Sequence, residues 1–269
     1  MDKKELSLTE IQNGSFQVLL KFKDLCEKLG LRYWLCYGTL IGAVRHHGFI
    51  PWDDDVDVQM PREDYEKFVD YCIEHKEELK PLELFHYRTS KKYIYQIARL
   101  SDSRYTIDYS IAKDYGLGLF IDLYPLDEAD NNSKTLQKVR KKYIKRIYFA
   151  GTKKTDPKRD IKTPLRLAYY FYTRFINLNK TLKKYNEMFM NHKFGYGNYG
   201  CFVMDSALRP ITKEHYAESI DCVFNGVTFK IPKEYDYILK ATYGDYMKLP
   251  PEEERVAHHY YHAYKKEDK

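Results

Sequence analysis

Four aspartates occupy five consecutive positions in the segment Asp53-Asp54-Asp55-Val56-Asp57. Carboxylates so close together repel one another and are costly to bury unless a positive charge compensates them. Polar and apolar residues alternate from Asp55 to Met60, which predicts one strand with Asp55 and Asp57 on the same face. Two carboxylates placed in this way suit a hard divalent cation such as Mg²⁺. A solvated acidic turn is the alternative interpretation.

The residues just before this acidic segment predict an anion site. A short apolar run ends in Gly38-Thr39, which is typical of a buried strand that enters a helix, here from about Thr39 to His46. Backbone N–H groups and a hydroxyl at a helix N-terminus favour phosphate. Arg45 can return its guanidinium to the same anion.

A third carboxylate is predicted within the apolar run Gly118-Leu119-Phe120-Ile121-Asp122-Leu123-Tyr124. An aspartate inside an apolar strand is costly unless it binds a metal or an arginine, and the metal is the preferred interpretation. Arg99 lies in another apolar run, where it would either meet a phosphate or pair with an aspartate. Both interpretations stay open.

Local signals predict several further elements. Ser7 and Glu10 form a capping box at the start of a helix from about Leu8 to Leu29, and Pro61 opens a second helix to about Leu79. Asn225-Gly226 between two short apolar runs predicts a β-hairpin. The tail after Asp245 is expected to be irregular. Helices that alternate with strands and are followed by several strands indicate a mixed α/β or α+β sheet.

Three blocks resemble the LicD family of phosphorylcholine transferases, which is related to the fukutin group of phosphosugar transferases. The blocks are YGTLIGAVRHHGFIPWDDDVDVQMPREDYEKF, GLFIDLYPLD and FNGVTFKIPKEYDYILKATYGDYMKLPPEEERVAHH. The resemblance is close over about Tyr33–Asp127 and Cys222–His259 and loose between these ranges. The Gly-Thr turn joined to an Asp-x-Asp strand also resembles the nucleotidyltransferase superfamily.

The resemblance implies an α+β fold with a nucleotidyltransferase-like mixed β-sheet core, flanking helices and a basic helical insert. It implies Mg²⁺, with Mn²⁺ as the alternative, held by Asp55, Asp57 and Asp122, with Asp53 as a further catalytic carboxylate. Asp54 carries less weight. Gly38, Thr39 and Arg45 would bind the phosphates.

The implied reaction transfers phosphorylcholine from CDP-choline to a sugar hydroxyl of a teichoic-acid or lipid-linked cell-wall glycan precursor. CMP leaves, and Asp122 is the most plausible group to accept the hydroxyl proton. Choline is usually bound by aromatic faces, which makes Trp52 and Tyr124, with Tyr37 and Tyr115, candidates near the motifs. The family resemblance extends to His258, which is expected near the substrate.

The charge is concentrated in one part of the chain. Residues 134–193 hold 18 Lys/Arg and three acidic residues, a net of 18 − 3 = +15, and the whole chain has a net charge of +6, so the remainder is 6 − 15 = −9. The apolar and aromatic stretch Leu165–Ile176 within this basic segment suits a helix on an anionic membrane surface. A solvated basic insert is the alternative. Nucleic acid is not expected as a partner, because no binding module is readable and the rest of the chain is acidic.

The predicted organisation is a catalytic core over residues 1–132, a basic helical insert over residues 133–200, and a hairpin and helix over residues 201–269 that complete the catalytic domain. No run of about 18 uncharged apolar residues occurs, and the first residues lack the apolar core of a signal peptide. A cytoplasmic protein at the inner face of the cell membrane is therefore expected. Two other functions stay open: transfer of another alcohol phosphate or a nucleotidyl group by the same site, and a non-catalytic module that binds teichoic acid or membrane.

Overall fold

The structure, a computed structural model, describes residues 4–109, 115–130, 132–151, 163–204, 209–257 and 261–267. Its helices are α1 (Leu8–Leu29), α2 (Tyr37–His46), α3 (Arg62–Glu74), α4 (Lys134–Gly151), α5 (Thr163–Arg174), α6 (Leu178–Met190) and α7 (Tyr235–Tyr243). Its strands are β1 (Trp34–Leu35), β2 (Asp57–Pro61), β3 (Leu82–Phe85), β4 (Ala98–Asp102), β5 (Tyr105–Tyr109), β6 (Leu119–Ala129), β7 (Asn198–Gly200), β8 (Ser219–Phe224), β9 (Val227–Pro232) and β10 (Tyr261–Lys265). Single 3₁₀ turns span Lys213–Tyr216 and Glu252–Glu254.

The central sheet has the strand order β1-β2-β6-β4-β3, and β7 also pairs with β6. Strands β2 and β6 are parallel, whereas β1, β4 and β7 each run antiparallel to their neighbours. This mixed sheet with flanking helices confirms the α+β prediction. The register places Asp57 opposite Asp122, and Asp122 opposite Arg99. Three candidate site residues therefore lie side by side across neighbouring strands.

Helix α1 forms as its local signals predict. The Glu10 N–H donates to Ser7 Oγ at 3.3 Å, and the Ser7 N–H donates to Glu10 Oε2 at 2.8 Å, which closes the capping box. Gly30 ends the helix with φ = 63°, a left-handed conformation that glycine adopts without strain. The buried residues Val18, Leu19 and Phe22 belong to the main hydrophobic core, which α1 shares with α3 and the sheet.

Three local predictions are wrong in part. Strand β2 begins at Asp57 rather than Asp55, because the Asp57 N–H donates to the Thr39 hydroxyl instead of to a neighbouring strand. Helix α3 ends at Glu74, since the segment that follows it to Leu79 is charged and offers no further apolar stripe. The tail predicted to be irregular contains β10, which pairs antiparallel with β5.

The basic helices have a hydrophobic core of their own beside the sheet. Leu136, Tyr143 and Ile147 of α4 pack with Leu182, Tyr185 and Phe189 of α6 in this second cluster. Ile97 and Ala129, which adjoin and end strands of the central sheet, belong to the same cluster. The basic segment is thus packed on the sheet rather than held apart from it. Among the residues that the structure describes, no helix combines the length and apolar character required to span a membrane.

Candidate active site

The N-terminus of α2 and the start of β2 are joined by two hydrogen bonds. The Asp57 N–H donates to Thr39 Oγ1 at 2.8 Å, and the Cys36 N–H donates to the Asp57 carbonyl oxygen at 3.1 Å. Thr39, predicted to bind phosphate, is buried and uses its hydroxyl oxygen to position the backbone of Asp57. A Cβ atom on Gly38 would lie only 2.6 Å from Asp53 Oδ2. A side chain at this position would therefore displace the Asp53 carboxylate from its place beside the helix.

Three of the clustered aspartates converge beside this helix. Asp53, Asp54 and Asp55 each offer a carboxylate oxygen, and these oxygens lie within 4.8 Å of one another. Asp53 and Asp55 are half-buried, whereas Asp54 is buried. Asp54, which carried less weight in the sequence, thus lies with its neighbours. The position of Asp54 next to Asp53 and Asp55 was hard to predict, because a loop rather than a strand brings the three carboxylates together.

Asp57 has the least compensated charge in the group. Its side chain is buried, and its Oδ1 atom has no hydrogen-bond partner among the described residues. Burial raises the pKa of Asp57 well above its usual value, and the charges of Asp55, Asp122 and Asp53 raise it further. A hydrogen bond from Tyr124 opposes this pKa increase. The site therefore favours binding of a positive charge or a proton next to Asp57.

Asp122, opposite Asp57, has a cationic partner. Arg99 donates from Nε to Asp122 Oδ1 at 2.5 Å and from Nη2 to Oδ2 at 3.2 Å. Arg99 Nη1 also donates to the Tyr115 hydroxyl at 2.9 Å, and the guanidinium carbon lies 4.0 Å from the ring centre of Tyr95. Of the two interpretations of Arg99, the structure shows the pairing with an aspartate. A metal role for Asp122 stays a prediction.

Arg45 and Trp52 lie at the other end of α2. Arg45 Nη1 donates to the Tyr246 carbonyl oxygen at 2.6 Å and its Nε to His46 Nε2 at 2.9 Å, about 10 Å along the helix from Gly38. The guanidinium is thus directed towards the C-terminal segment rather than towards Gly38. Trp52 is half-buried, and the guanidinium carbon of Arg255 lies 5.7 Å from its ring centre. Trp52 therefore already binds a cation, as the choline prediction requires of an aromatic face.

Tyrosines surround the buried side of the site. The rings of Tyr124 and Tyr37 meet edge to face with their centres 5.0 Å apart. A cavity of about 40 Å³ beside Tyr37 is also lined by Tyr216, Tyr243 and Arg209. The sequence did not single out Tyr216 and Tyr243, because the chain contains 27 tyrosines. Tyr243 lies in the third LicD-like block, and Tyr216 lies outside the blocks. His258, also predicted near the substrate, lies outside the described residues.

Comparisons with known proteins agree with this geometry. The nucleotidyltransferase domain of the LicD/FKTN/FKRP family matches residues 30–163, which include all the acids of the site. The lipopolysaccharide cholinephosphotransferase LicD of Haemophilus influenzae is 32% identical over 269 residues, covering 97% of this chain and 99% of that protein. The chain belongs to the LicD family. Since the similarity to this relative runs almost from end to end, family membership includes the basic helices and the C-terminal hairpin as well as the acidic site.

Two further LicD-related proteins are similar over a short segment. The ribitol 5-phosphate transferases FKRP of mouse and human are each 55% identical over 38 residues, which cover 14% of this chain and 8% of theirs. This chain therefore matches only a small part of these longer relatives.

The donor set of this LicD-family site fits a hard divalent cation. Carboxylate oxygens are the ligands that Mg²⁺ and Mn²⁺ prefer. Asp57 offers its Oδ1, which has no hydrogen-bond partner among the described residues, and Asp55 offers a second carboxylate near it. Asp53 adds a third negative charge on the side of Gly38. Arg99 offsets only the charge of Asp122. The remaining negative charge is what a bound cation would neutralise.

Proposed function

We propose that the chain is a divalent-cation-dependent phosphorylcholine transferase that uses CDP-choline and releases CMP. The observation that carries the proposal is Asp57, whose Oδ1 has no hydrogen-bond partner among the described residues. Burial raises its pKa, and three neighbouring carboxylates raise it further. The near full-length similarity to a cholinephosphotransferase supports choline phosphate as the transferred group. Sites that transfer phosphoryl groups need a cation between carboxylates and phosphates.

Asp55 and Asp57 would hold Mg²⁺ or Mn²⁺, with Asp122 beside them on β6. When bound, the cation neutralises phosphate charge and stabilises the attacking and leaving oxygens. Arg99 keeps Asp122 in place through its two hydrogen bonds and offsets one negative charge.

The remaining roles belong to the N-terminus of α2 and its neighbours. The N-terminus of α2 lies beside the Asp53 carboxylate, and its helix dipole would favour the phosphates of the donor. Thr39 fixes Asp57 at the same place. Trp52, whose half-buried ring already lies against the Arg255 guanidinium, is the proposed contact for the trimethylammonium group.

The acceptor hydroxyl would attack the choline-bearing phosphorus in line with the departing CMP oxygen. Its proton needs a carboxylate that an acceptor can reach. Asp122, the choice from the sequence, is buried, and both of its oxygens accept hydrogen bonds from Arg99. Asp53 is half-buried and lies against Gly38, so we assign the proton-accepting role to Asp53.

The proposed acceptor is a sugar hydroxyl of a lipid-linked glycan. A teichoic-acid precursor is the acceptor that the resemblance implied, and the name of the Haemophilus relative supports a lipopolysaccharide glycan instead. Both acceptors present the same nucleophile. A second candidate function is transfer of ribitol phosphate, which the local similarity to the ribitol 5-phosphate transferases favours.

A donor panel tests the proposal. CMP release is measured with Mg²⁺, a glycan acceptor of each kind, and CDP-choline, CDP-ethanolamine or CDP-ribitol as donor. Choline-selective CMP release that is lost in Asp57→Asn and kept in the exposed control Asp108→Asn is expected. Faster turnover of CDP-ribitol would support the second candidate function. Release of phosphocholine instead of CMP, or equal activity of Asp57→Asn, would contradict the proposal.

A further inference from the structure

Helix α5 exposes its apolar residues to solvent, whereas an ordinary surface helix buries them. Its exposed positions, together with the residue that follows the helix, are all apolar or aromatic: Pro164, Leu165, Leu167, Ala168, Phe171, Tyr172 and Phe175. At 100° per residue these positions fall on one side of the helix, and we call them the outer face of α5. Phe175 is 90% exposed, Leu165 74% and Phe171 61%. A solvated helix would place its charged residues on this side.

The charged residues of α5 turn inward instead. Arg174 Nη2 donates to the Phe149 carbonyl oxygen at 2.9 Å, near the C-terminal end of α4. The Arg174 guanidinium carbon also lies 3.9 Å from the ring centre of Tyr170. Carbonyl groups of the last helical turn have no partner within the helix, so Arg174 satisfies a group that needs a donor. These contacts hold α5 with its outer face away from the protein.

Lysines border this apolar surface. Lys134, Lys138, Lys141 and Lys145 recur along one side of α4 at helical spacing, followed by Tyr148, whose side chain is 57% exposed. The Lys145 ammonium lies 4.8 Å from the ring centre of Tyr169 in α5, which places the end of this stripe at the α4–α5 contact. Exposed lysines on α6 add to the positive charge: Lys180, Lys183 and Lys184.

The combination of an apolar, aromatic face with surrounding lysines matches an anionic lipid surface. Aromatic side chains enter the boundary between headgroups and acyl chains, while lysines contact lipid phosphates. A contiguous exposed apolar patch of this kind marks an interaction site on a folded protein. We propose that α5 and the lysine stripe of α4 dock the protein on an anionic bilayer surface.

The docking helices are connected to the active site. Asn186 of α6 accepts a hydrogen bond from Arg62 at 3.2 Å, and Arg62 also binds Asp127 at the end of β6. Tyr124, which contacts Asp57, packs against the core shared by α4 and α6. Docking through α5 would therefore hold the acidic site at a fixed orientation to the membrane. The proposal goes beyond the transferase function and does not depend on it.

Vesicle sedimentation with the full chain tests the proposal without an activity measurement. Vesicles of phosphatidylcholine alone are compared with vesicles that also contain phosphatidylglycerol. The variant Phe171→Ser/Phe175→Ser removes the aromatic part of the outer face. Its matched control, Ile220→Ser/Val223→Ser, removes two exposed apolar side chains from β8. A third variant, Lys138→Ala/Lys141→Ala, removes charge from the α4 stripe, and thermal melting confirms that each variant folds.

The wild-type chain is expected to bind anionic vesicles at least about tenfold better than neutral ones. The outer-face variant should bind vesicles at least about tenfold more weakly than wild type. The lysine variant should lose the wild type's preference for anionic over neutral vesicles. The β8 control should bind like wild type. Equal binding of the wild type and the outer-face variant would overturn the proposal. A second result would also overturn the proposal: light scattering shows a wild-type dimer that the outer-face variant loses, and the wild type does not bind vesicles.

Discussion

Strands β2 and β6 run in parallel, and acidic residues gather at both ends of the pair. Near the C-terminal end of β6, Asp127 accepts hydrogen bonds from Arg62 Nε at 2.8 Å and from Nη2 at 2.6 Å. Arg62 Nη1 also donates to Glu66 and to Asn186, each at 3.2 Å. We call this group the matched end, because its carboxylates receive charge-assisted hydrogen bonds from one buried arginine.

The N-terminal ends of the same strands differ in their charge balance. Asp57 and Asp122 lie in register there, and the carboxylate that Arg99 binds is that of Asp122. Asp57 keeps an unpartnered oxygen close to Asp53 and Asp55. This unmatched end costs folding free energy, so stability does not explain it, whereas the proposed cation with its bound phosphate would. The comparison teaches that a buried carboxylate does not by itself indicate a functional site. A buried carboxylate without a cationic side chain as its partner does.

The largest effect is expected at the matched end. Arg62→Ala leaves Asp127 buried without its partner, and we expect the free energy of unfolding to fall by about 3–5 kcal/mol. Urea denaturation measures this change. Lys230→Ala provides the control, because both side chains of the Lys230–Asp221 ion pair are exposed, and it should cost less than about 1 kcal/mol. Similar losses of unfolding free energy in the two variants would contradict the expected difference between buried and exposed ion pairs.

A substitution at the unmatched end should separate activity from stability. Asp57→Asn keeps the shape of the side chain and removes its charge, and we expect CMP release to fall at least about 10²-fold. The melting temperature should stay the same or rise, because the buried charge and its repulsion disappear. Kinetics and thermal melting are measured on the same preparation. A strongly lowered melting temperature would show that Asp57 stabilises the fold.

Trp52 tests whether the unmatched end also recognises the donor. Trp52→Ala should raise KM for CDP-choline by roughly tenfold through loss of a cation–π contact, whereas Trp52→Phe should retain most of the affinity. Steady-state kinetics with CDP-choline and CDP-ribitol provide the comparison. Equal changes in KM for both donors would place Trp52 outside the choline contact.

The smallest effect is a pH dependence at the matched end. Burial lowers the pKa of His86, and the charges of Arg88 and Arg62 lower it further. The folded protein therefore binds the proton less well than the unfolded chain, and stability falls as pH drops below about 6.5. Between pH 7.5 and 6.0 the wild type should lose about 0.8 kcal/mol relative to His86→Phe. Urea denaturation at both pH values checks this, and parallel curves for the two proteins would contradict it.

Local signals in the sequence predicted the elements that form locally. The capping box fixes α1, and the Asn225-Gly226 turn, with φ of 48° and 77°, fixes the hairpin β8–β9. The strand β10 was missed because its partner, β5, lies about 150 residues earlier in the chain. Its apolar pattern carries too little information without that partner.

The acids of the site were visible in the sequence because they lie close together in it. Their partners were not, since the pairing of Arg99 with Asp122 depends on the register of β4 against β6. For the same reason, the contact of Arg45 with Tyr246 could not be read from the spacing between Arg45 and Gly38. Charge along the chain predicted where the acids cluster, and only the fold distinguished Asp127, which Arg62 binds, from Asp57.

Cation binding by the unmatched end is the most direct test of this account. Electron paramagnetic resonance measures Mn²⁺ bound to the wild-type chain, to Asp57→Asn and to the exposed control Asp108→Asn, each with CMP present. Saturable Mn²⁺ binding that Mg²⁺ displaces, that Asp57→Asn loses and that Asp108→Asn keeps is the expected result. Wild-type Mn²⁺ binding in Asp57→Asn, or the same weak binding in all three proteins, would contradict a cation site at Asp57.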